Sequence, residues 1–143
     1  MIELMSMILQ VGVKIFLENN EKRFLLLKRS QIKYPAIKNL WDIPGGRINP
    51  GTTLLDNLRR EVSEETGLKI LGRPRLLFAQ DILKPSKHIV RLTFRAQTNG
   101  VPQLNEESTN FCWLSAKEML KLSGLDEFTR EVLERNLLDN SFI

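Results

Sequence analysis

Apolar residues alternate from Gln10 to Leu17, with Val11, Val13 and Ile15 on one side, and this period of two predicts a strand. Asn19-Asn20 supplies turn chemistry, and the more continuously apolar run from Phe24 to Lys28 predicts a second strand. Ser30 to Leu40 reads as a loop, because Pro35 blocks regular pairing. Trp41-Asp42-Ile43 is a short extended piece ending at Pro44-Gly45-Gly46, which is expected to stop any element, and Asn49-Pro50-Gly51 adds a second turn. Thr52 or Thr53 then caps a helix, with Thr53-Leu54-Leu55-Asp56 as a short-armed capping box, and the helix runs to Gly67. Leu54, Leu55, Leu58 and Val62 form its apolar stripe. Leu76 to Leu83 and His88 to Ala96 read as strands around Lys84-Pro85-Ser86-Lys87. Asn99-Gly100 is a turn, Phe111 to Leu114 a short strand, Ala116 to Leu122 a short helix and Asp126 to Leu138 a longer one. No repeat or linker interrupts the chain. The elements do not alternate as regular βαβ units, so residues 1–143 are expected to form one α/β domain, a mixed sheet covered by helices.

Composition narrows the class. With 42% hydrophobic and 27% charged residues among 143, the chain is neither a disordered tail nor a membrane protein. No apolar stretch approaches the roughly 20 residues of a spanning helix. The segment Met1 to Leu9 is apolar, but Glu3 interrupts it and no basic stretch precedes it, so a signal peptide is not expected. One cysteine excludes an internal disulfide and a cysteine zinc site, which points to a reducing, cytoplasmic compartment. The net charge of +4 is unevenly spread: residues 1–20 carry −1, 21–47 carry +5, 48–68 carry −2, 69–95 carry +6 and 96–143 carry −4. A short acidic block therefore lies between two basic ones. Ordinary surface charge accounts for that count unless the acidic block itself carries chemistry.

It does. Arg60-Glu61-Val62-Ser63-Glu64-Glu65-Thr66-Gly67 sets Glu61 three residues from Glu64 and four from Glu65, so on a helix all three project to one side, at the border of the apolar stripe. Like charges at these spacings repel by about 0.2–0.5 kcal/mol per pair even in water. A hard divalent cation binds such converging carboxylates, whereas a solvated acidic face is the plain alternative. The glycine-rich turn leading directly into the helix favours the first reading, because it brings free backbone groups close to the acids.

Gly46 and the run from Arg60 to Leu68 together resemble the Nudix box: a glycine, a glutamate six residues on, then Arg-Glu-apolar-x-Glu-Glu-x-Gly-apolar at fixed spacing. Eight of its nine specified positions match within residues 46–68. The strand ending Lys28-Arg29, the approach Leu40-Trp41-Asp42-Ile43-Pro44-Gly45-Gly46, and Glu107 six residues before Trp113 are similar to the family as well, so the likeness covers about residues 10–138. It implies a Nudix α/β/α sandwich with a central mixed β-sheet, the box forming loop–helix–loop. It also implies Mg²⁺-dependent hydrolysis, with Mn²⁺ as the alternative ion, of a nucleoside diphosphate linked to another moiety.

By that resemblance Glu61, Glu64 and Glu65 are metal ligands, with the Gly46 carbonyl a further one. Glu61, Glu64 and Glu107 are candidates for the base that activates water, and Arg60 belongs to the catalytic set. Arg29 is a candidate for holding a substrate phosphate, Trp41 for stacking on a base, and Gly45 and Gly46 for lining the substrate. Each has a plainer alternative: a surface ion pair for Arg29, packing beneath the loop for Trp41, a solvated loop carboxylate for Glu107 and for Glu106 beside it. Cys112 and Trp113 read as core, and His88 as solvent-facing. Small single-domain size favours a nucleoside triphosphate or similar small nucleotide. The alternatives are an ADP-ribose-type substrate, or a weakened domain that binds nucleotide without cleaving it. Nucleic acid is a poor fit because no basic run is interleaved with aromatics. Relatives often pair, which leaves a homodimer open.

One position departs from the box. Thr52 stands where the family carries a glutamate that supports the metal shell or the box arginine, which puts the partner of Arg60 in question. Thr52→Glu is expected to raise metal affinity or turnover in a magnesium titration; no change in either would make position 52 purely structural.

Overall fold

The computed structural model describes residues 6–138. The first five residues of the apolar N-terminal stretch and the end of the expected domain at 139–143 lie outside that range. The elements run β1 (Ile8–Glu18), β2 (Phe24–Arg29), β3 (Trp41–Asp42), β4 (Gly45–Arg47), α1 (Leu54–Thr66), β5 (Leu71–Lys84), β6 (Lys87–Gln97), β7 (Ser108–Leu114), α2 (Ala116–Leu120) and α3 (Glu127–Leu138). The strands form one mixed sheet with the order β3-β2-β1-β6-β5; β7 pairs with β2, and β4 with β1. β1 and β6 are parallel along their whole length, while the other pairings are antiparallel.

Helices cover both faces. On β1, Val13, Ile15 and Leu17 join Leu58 and Val62 of α1 in one core, and Phe16 joins Met119 of α2 and Val132 and Leu133 of α3 in the other. β2 divides likewise, Leu25 and Leu27 to the α1 side and Phe24 and Leu26 to the α2–α3 side. The unbroken apolar run of β2 follows from burial on both faces, where a half-buried strand would alternate. This is the expected α/β/α sandwich.

Three local details differ from the sequence expectations. The Pro44-Gly45-Gly46 turn does not stop regular structure: Gly45, Gly46 and Arg47 form β4, pairing Lys14, Val13 and Gly12. Gly45 can do this because its φ of 143° suits glycine alone. At the start of α1 only half a capping box forms, with the Thr53 hydroxyl accepting from the Asp56 N–H at 3.1 Å. The reciprocal box stands instead at α2, between Ser115 and Glu118. α1 ends as expected at Gly67, which is left-handed at φ 68° and donates its N–H to Ser63 O.

β4 makes the sheet fork. One edge of β1 is wholly occupied by β6, but the other is shared between β4 at Gly12–Lys14 and β2 at Glu18. The space left between β4 and β2 is where the site lies. A Cβ on Gly45 would sit 2.0 Å from the Val13 carbonyl oxygen and 2.8 Å from Lys14 Cα, atoms held in the sheet. Gly45→Ala is therefore expected to cost about 2 kcal/mol or more, read as a lowered urea midpoint; an unchanged midpoint would mean that β4 shifts freely.

Candidate active site

A cleft of about 480 Å³ opens at the fork. Its lining falls into two groups: an acidic wall of Glu61 and Glu65 from α1 with Glu107 from the loop before β7, and a cationic wall of Lys14, Arg29, Arg47, Lys84 and Arg91, with Asp42 and Asp126 among them. Two members of each basic block thus line the cleft together with acids of α1, while others such as Lys22 and Arg75 face solvent. The charge pattern along the chain has become a site of mixed charge.

The cationic wall is organised by Asp42, which is 2% exposed. Its carboxylate accepts from Arg29 at 2.8 Å, Lys14 at 3.0 Å and the Thr129 hydroxyl at 2.6 Å, with Arg91 at 3.5 Å. Burial pushes its pKa up, but Lys14, Arg91, Arg29 and Thr129 outweigh burial and hold it well below the usual carboxylate range. Arg91 also reaches Asp126 at 3.0 Å, and Asp126 caps α3 by accepting from the Phe128 and Thr129 N–H groups. Arg29 is the paired cation of the plainer reading and a cleft residue at once; its guanidinium lies 5.9 Å from the centre of the Tyr34 ring.

The acidic wall is crowded. Glu65 accepts from the Gly45 N–H at 2.9 Å. Burial, with Glu61 and Glu107 nearby, raises its pKa to about 7 against the opposing pull of Lys14 and the Gly45 N–H. Burial likewise raises Glu61, with Arg60 opposing and Glu64 and Glu107 reinforcing. The Glu61 carboxylate lies over Gly46, where a Cβ would come within 2.7 Å of it and push it from its present place.

The box acids do not behave as one set. Glu64 is 56% exposed and paired to Arg60 at 3.1 Å, outside the cleft. As they stand, no three His, Cys, Asp or Glu side chains among the described residues form a ready metal cage. The glutamates lining the cleft are Glu61, Glu65 and Glu107, whereas its two aspartates, Asp42 and Asp126, are already paired with cations. The mutual repulsion and partial burial of the glutamates are what a hard cation would relieve. The residues present therefore fit a divalent ion, which Glu61 and Glu65 could hold. Arg60 keeps partners despite Thr52: Asn57 at 3.0 Å, Glu61 at 3.1 Å and Glu64. Trp41 stays out of the cleft. It packs with the α2–α3 core, and its backbone binds Gly124 and Asp126. Glu106 is exposed near Lys33, and His88 pairs with Asp81 at 2.7 Å. The expected core residues Cys112 and Trp113 are half-buried on opposite faces of β7.

Lys14, Asp42, Arg91 and Tyr34 were not expected at the site. Lys14 left a signal, a charge inside the otherwise apolar run from Val11 to Leu17, and Asp42 another, a carboxylate directly before Ile43-Pro44-Gly45. Arg91 and Tyr34 left none, because only the fold brings them to the fork.

Comparison with known proteins is consistent across sequence and structure. A family model described as NUDIX domain matches residues 8–135. The crystal structure of a MutT protein from Methanosarcina mazei Go1 is 27% identical, with a TM-score of 0.82 over 96% of this chain and 99% of that one. The nucleoside triphosphatase NudI of Escherichia fergusonii is 27% identical over 125 residues, 80% of this chain and 87% of that protein. The m7GpppN-mRNA hydrolase NUDT17 of Xenopus laevis is 32% identical over 106 residues, 68% of this chain. The match spans 36% of that relative's length.

The raised pKa of Glu65 makes a stability prediction. Between its ordinary value of 4.5 and about 7 the folded protein binds a proton that the unfolded chain does not. Without metal, stability is thus expected to fall as pH rises from 5 to 8, by up to about 3 kcal/mol. Glu65→Gln should remove that part of the slope in urea titrations at several pH values; an identical slope in the variant would show that Glu65 is not the group responsible.

Proposed function

The chain belongs to the NUDIX domain family, and on that premise we propose that it hydrolyses a phosphoanhydride bond of a small nucleotide with the help of a divalent cation, Mg²⁺ or Mn²⁺. The observation that carries this reading is one cleft lined both by Glu61, Glu65 and Glu107 and by Lys14, Arg29, Arg47, Lys84 and Arg91. A nucleotide carries several negative charges on its phosphate chain, which carboxylates alone would repel. Cations and metal-binding oxygens lining the same cleft accommodate it.

When bound, the cation would stabilise charge on the phosphate oxygens and lower the pKa of the attacking water. Glu61 and Glu65 would hold it, with the Gly46 carbonyl as a further oxygen donor. Glu107 is our candidate for accepting the water proton, because it lies inside the cleft while Glu64 is exposed and bound to Arg60. Arg29, oriented by Asp42, presents its guanidinium to the phosphate chain. Fixed positive groups of this kind need no reorganisation as charge moves during the reaction.

The cleft volume and the match over most of NudI's length support a mononucleotide such as a nucleoside triphosphate. The reading is tested by offering the purified protein, with Mg²⁺ or Mn²⁺, nucleoside triphosphates, ADP-ribose, NADH, diadenosine polyphosphates and 5′-triphosphorylated RNA, and resolving the products by chromatography. Turnover of a mononucleotide is expected, and Glu61→Gln or Glu65→Gln should lower kcat by more than about 100-fold, beyond the usual loss for outer-shell changes. Activity that survives both substitutions would sink the metal assignment. Tight nucleotide binding without turnover would mark a binding domain.

A further inference from the structure

We propose that Asn57 is a positioning residue of this site, acting through Arg60 on the carboxylate of Glu61; the inference rests on the hydrolytic reading above. Asn57 stands in the second turn of α1 and is completely buried. A buried amide is costly unless its polar atoms find partners. Here they do: Nδ2 donates to the Thr53 carbonyl at 3.0 Å, and Oδ1 accepts from the Asn49 N–H at 3.0 Å and from Arg60 Nη2 at 3.0 Å. One side chain thereby ties the turn before the helix both to the helix and to its arginine.

Arg60 in turn donates from Nη2 to Glu61 at 3.1 Å and from Nη1 to Glu64 at 3.1 Å. Its Nε is buried with no partner, so it gives the guanidinium no further anchor. Of the three acceptors around Arg60, Asn57 alone is buried and rigidly held; Glu64 is largely exposed. Glu61 thus lies between the Arg60 guanidinium, which Asn57 holds, and Gly46, where a Cβ would come within 2.7 Å of its carboxylate. The chain of contacts from Asn49 through Asn57, Arg60 and Glu61 to Gly46 begins and ends in the same short segment before α1. Glu61 is registered against that segment from two sides.

The chemistry also selects the residue. The position needs an acceptor for two donors and a donor for one carbonyl, and a short amide has both. An aspartate of the same shape keeps the acceptor for Asn49 and Arg60, with a charge that Arg60 offsets, but sets an oxygen against the Thr53 carbonyl in place of the donor. An alanine loses all three bonds. The two variants therefore separate support of Arg60 from general support of the helix.

The test compares Asn57→Ala, Asn57→Asp, Arg60→Ala and the Asn57→Ala/Arg60→Ala double variant. Its readouts are Mn²⁺ affinity by electron paramagnetic resonance, kcat and KM on the nucleotide found above, and hydrogen exchange of the Arg60 Nε–H by NMR. Asn57→Ala is expected to weaken Mn²⁺ binding or lower kcat about 10–100-fold, with KM within about threefold, and to speed the Nε–H exchange. Asn57→Asp should recover most of each, and adding Asn57→Ala to Arg60→Ala should cost less than about twofold, because the two act in one chain. Wild-type kcat and exchange in Asn57→Ala, or its full effect persisting without Arg60, would overturn the proposal. Should Asn57→Ala not fold, Asn57→Ser, too short to reach Arg60, takes its place. If the wild-type protein turns over no nucleotide, the hydrolytic reading fails alone, and the Nε–H exchange still decides the role of Asn57.

Discussion

The buried carboxylate of Asp42 is the constraint on which the site depends. It ends β3 where β1, β2, β6 and α3 meet, and each of those four contributes a partner: Lys14, Arg29, Arg91 and Thr129, with the Ile43 N–H beside it. Three cations would not share so small a volume without it, since each pays desolvation that only an opposite charge offsets. By gathering them, Asp42 builds the electropositive wall and aims it at the fork. Its depressed pKa follows from that arrangement, and so does its ionisation throughout the neutral range.

Lys14 connects the two walls. It pairs with Asp42 at 3.0 Å and is the strongest influence opposing burial on Glu65. The acidic wall is left under-neutralised, with Glu65 raised to about 7 and Glu61 raised as well. One cleft thus holds cations beyond those its aspartates pair and glutamates that no cation fully neutralises. The adjoining glycines serve different ends. Gly45 has a backbone conformation and a backbone neighbour that exclude a side chain, which holds β4 on β1; Gly46 leaves space for a carboxylate.

The box arginine shows how a motif can lose a member and keep its geometry. Thr52 brings no carboxylate, yet Arg60 is held by Asn57, Glu61 and Glu64. Nothing in the spacing of the box points to Asn57, since a lone asparagine inside a helix reads as a weak helix former. Its role depends on being buried against Asn49, a contact across the turn. The equivalence of Glu61, Glu64 and Glu65 expected from helical spacing also dissolves on the same ground. Spacing puts all three on one side of α1, but where the edge of the core falls leaves Glu64 in solvent and brings Glu107 in from a distant loop.

Strand and helix identities, the mixed sheet, the apolar stripe of α1 and the acid-rich box were legible in the residues, because each rests on local periodicity or fixed spacing. So was the split of charge into basic and acidic blocks. Which cations of those blocks face the acids was not legible, nor were β4 and its pairing, the burial of Asp42 and Asn57, or the exclusion of Trp41 from the cleft. Those features depend on contacts between residues far apart in the chain, such as Asp42 with Thr129 and Lys14 with Asp42. A periodic pattern reports which face of an element is apolar; only packing decides what that face meets, and how much water remains there to screen a charge.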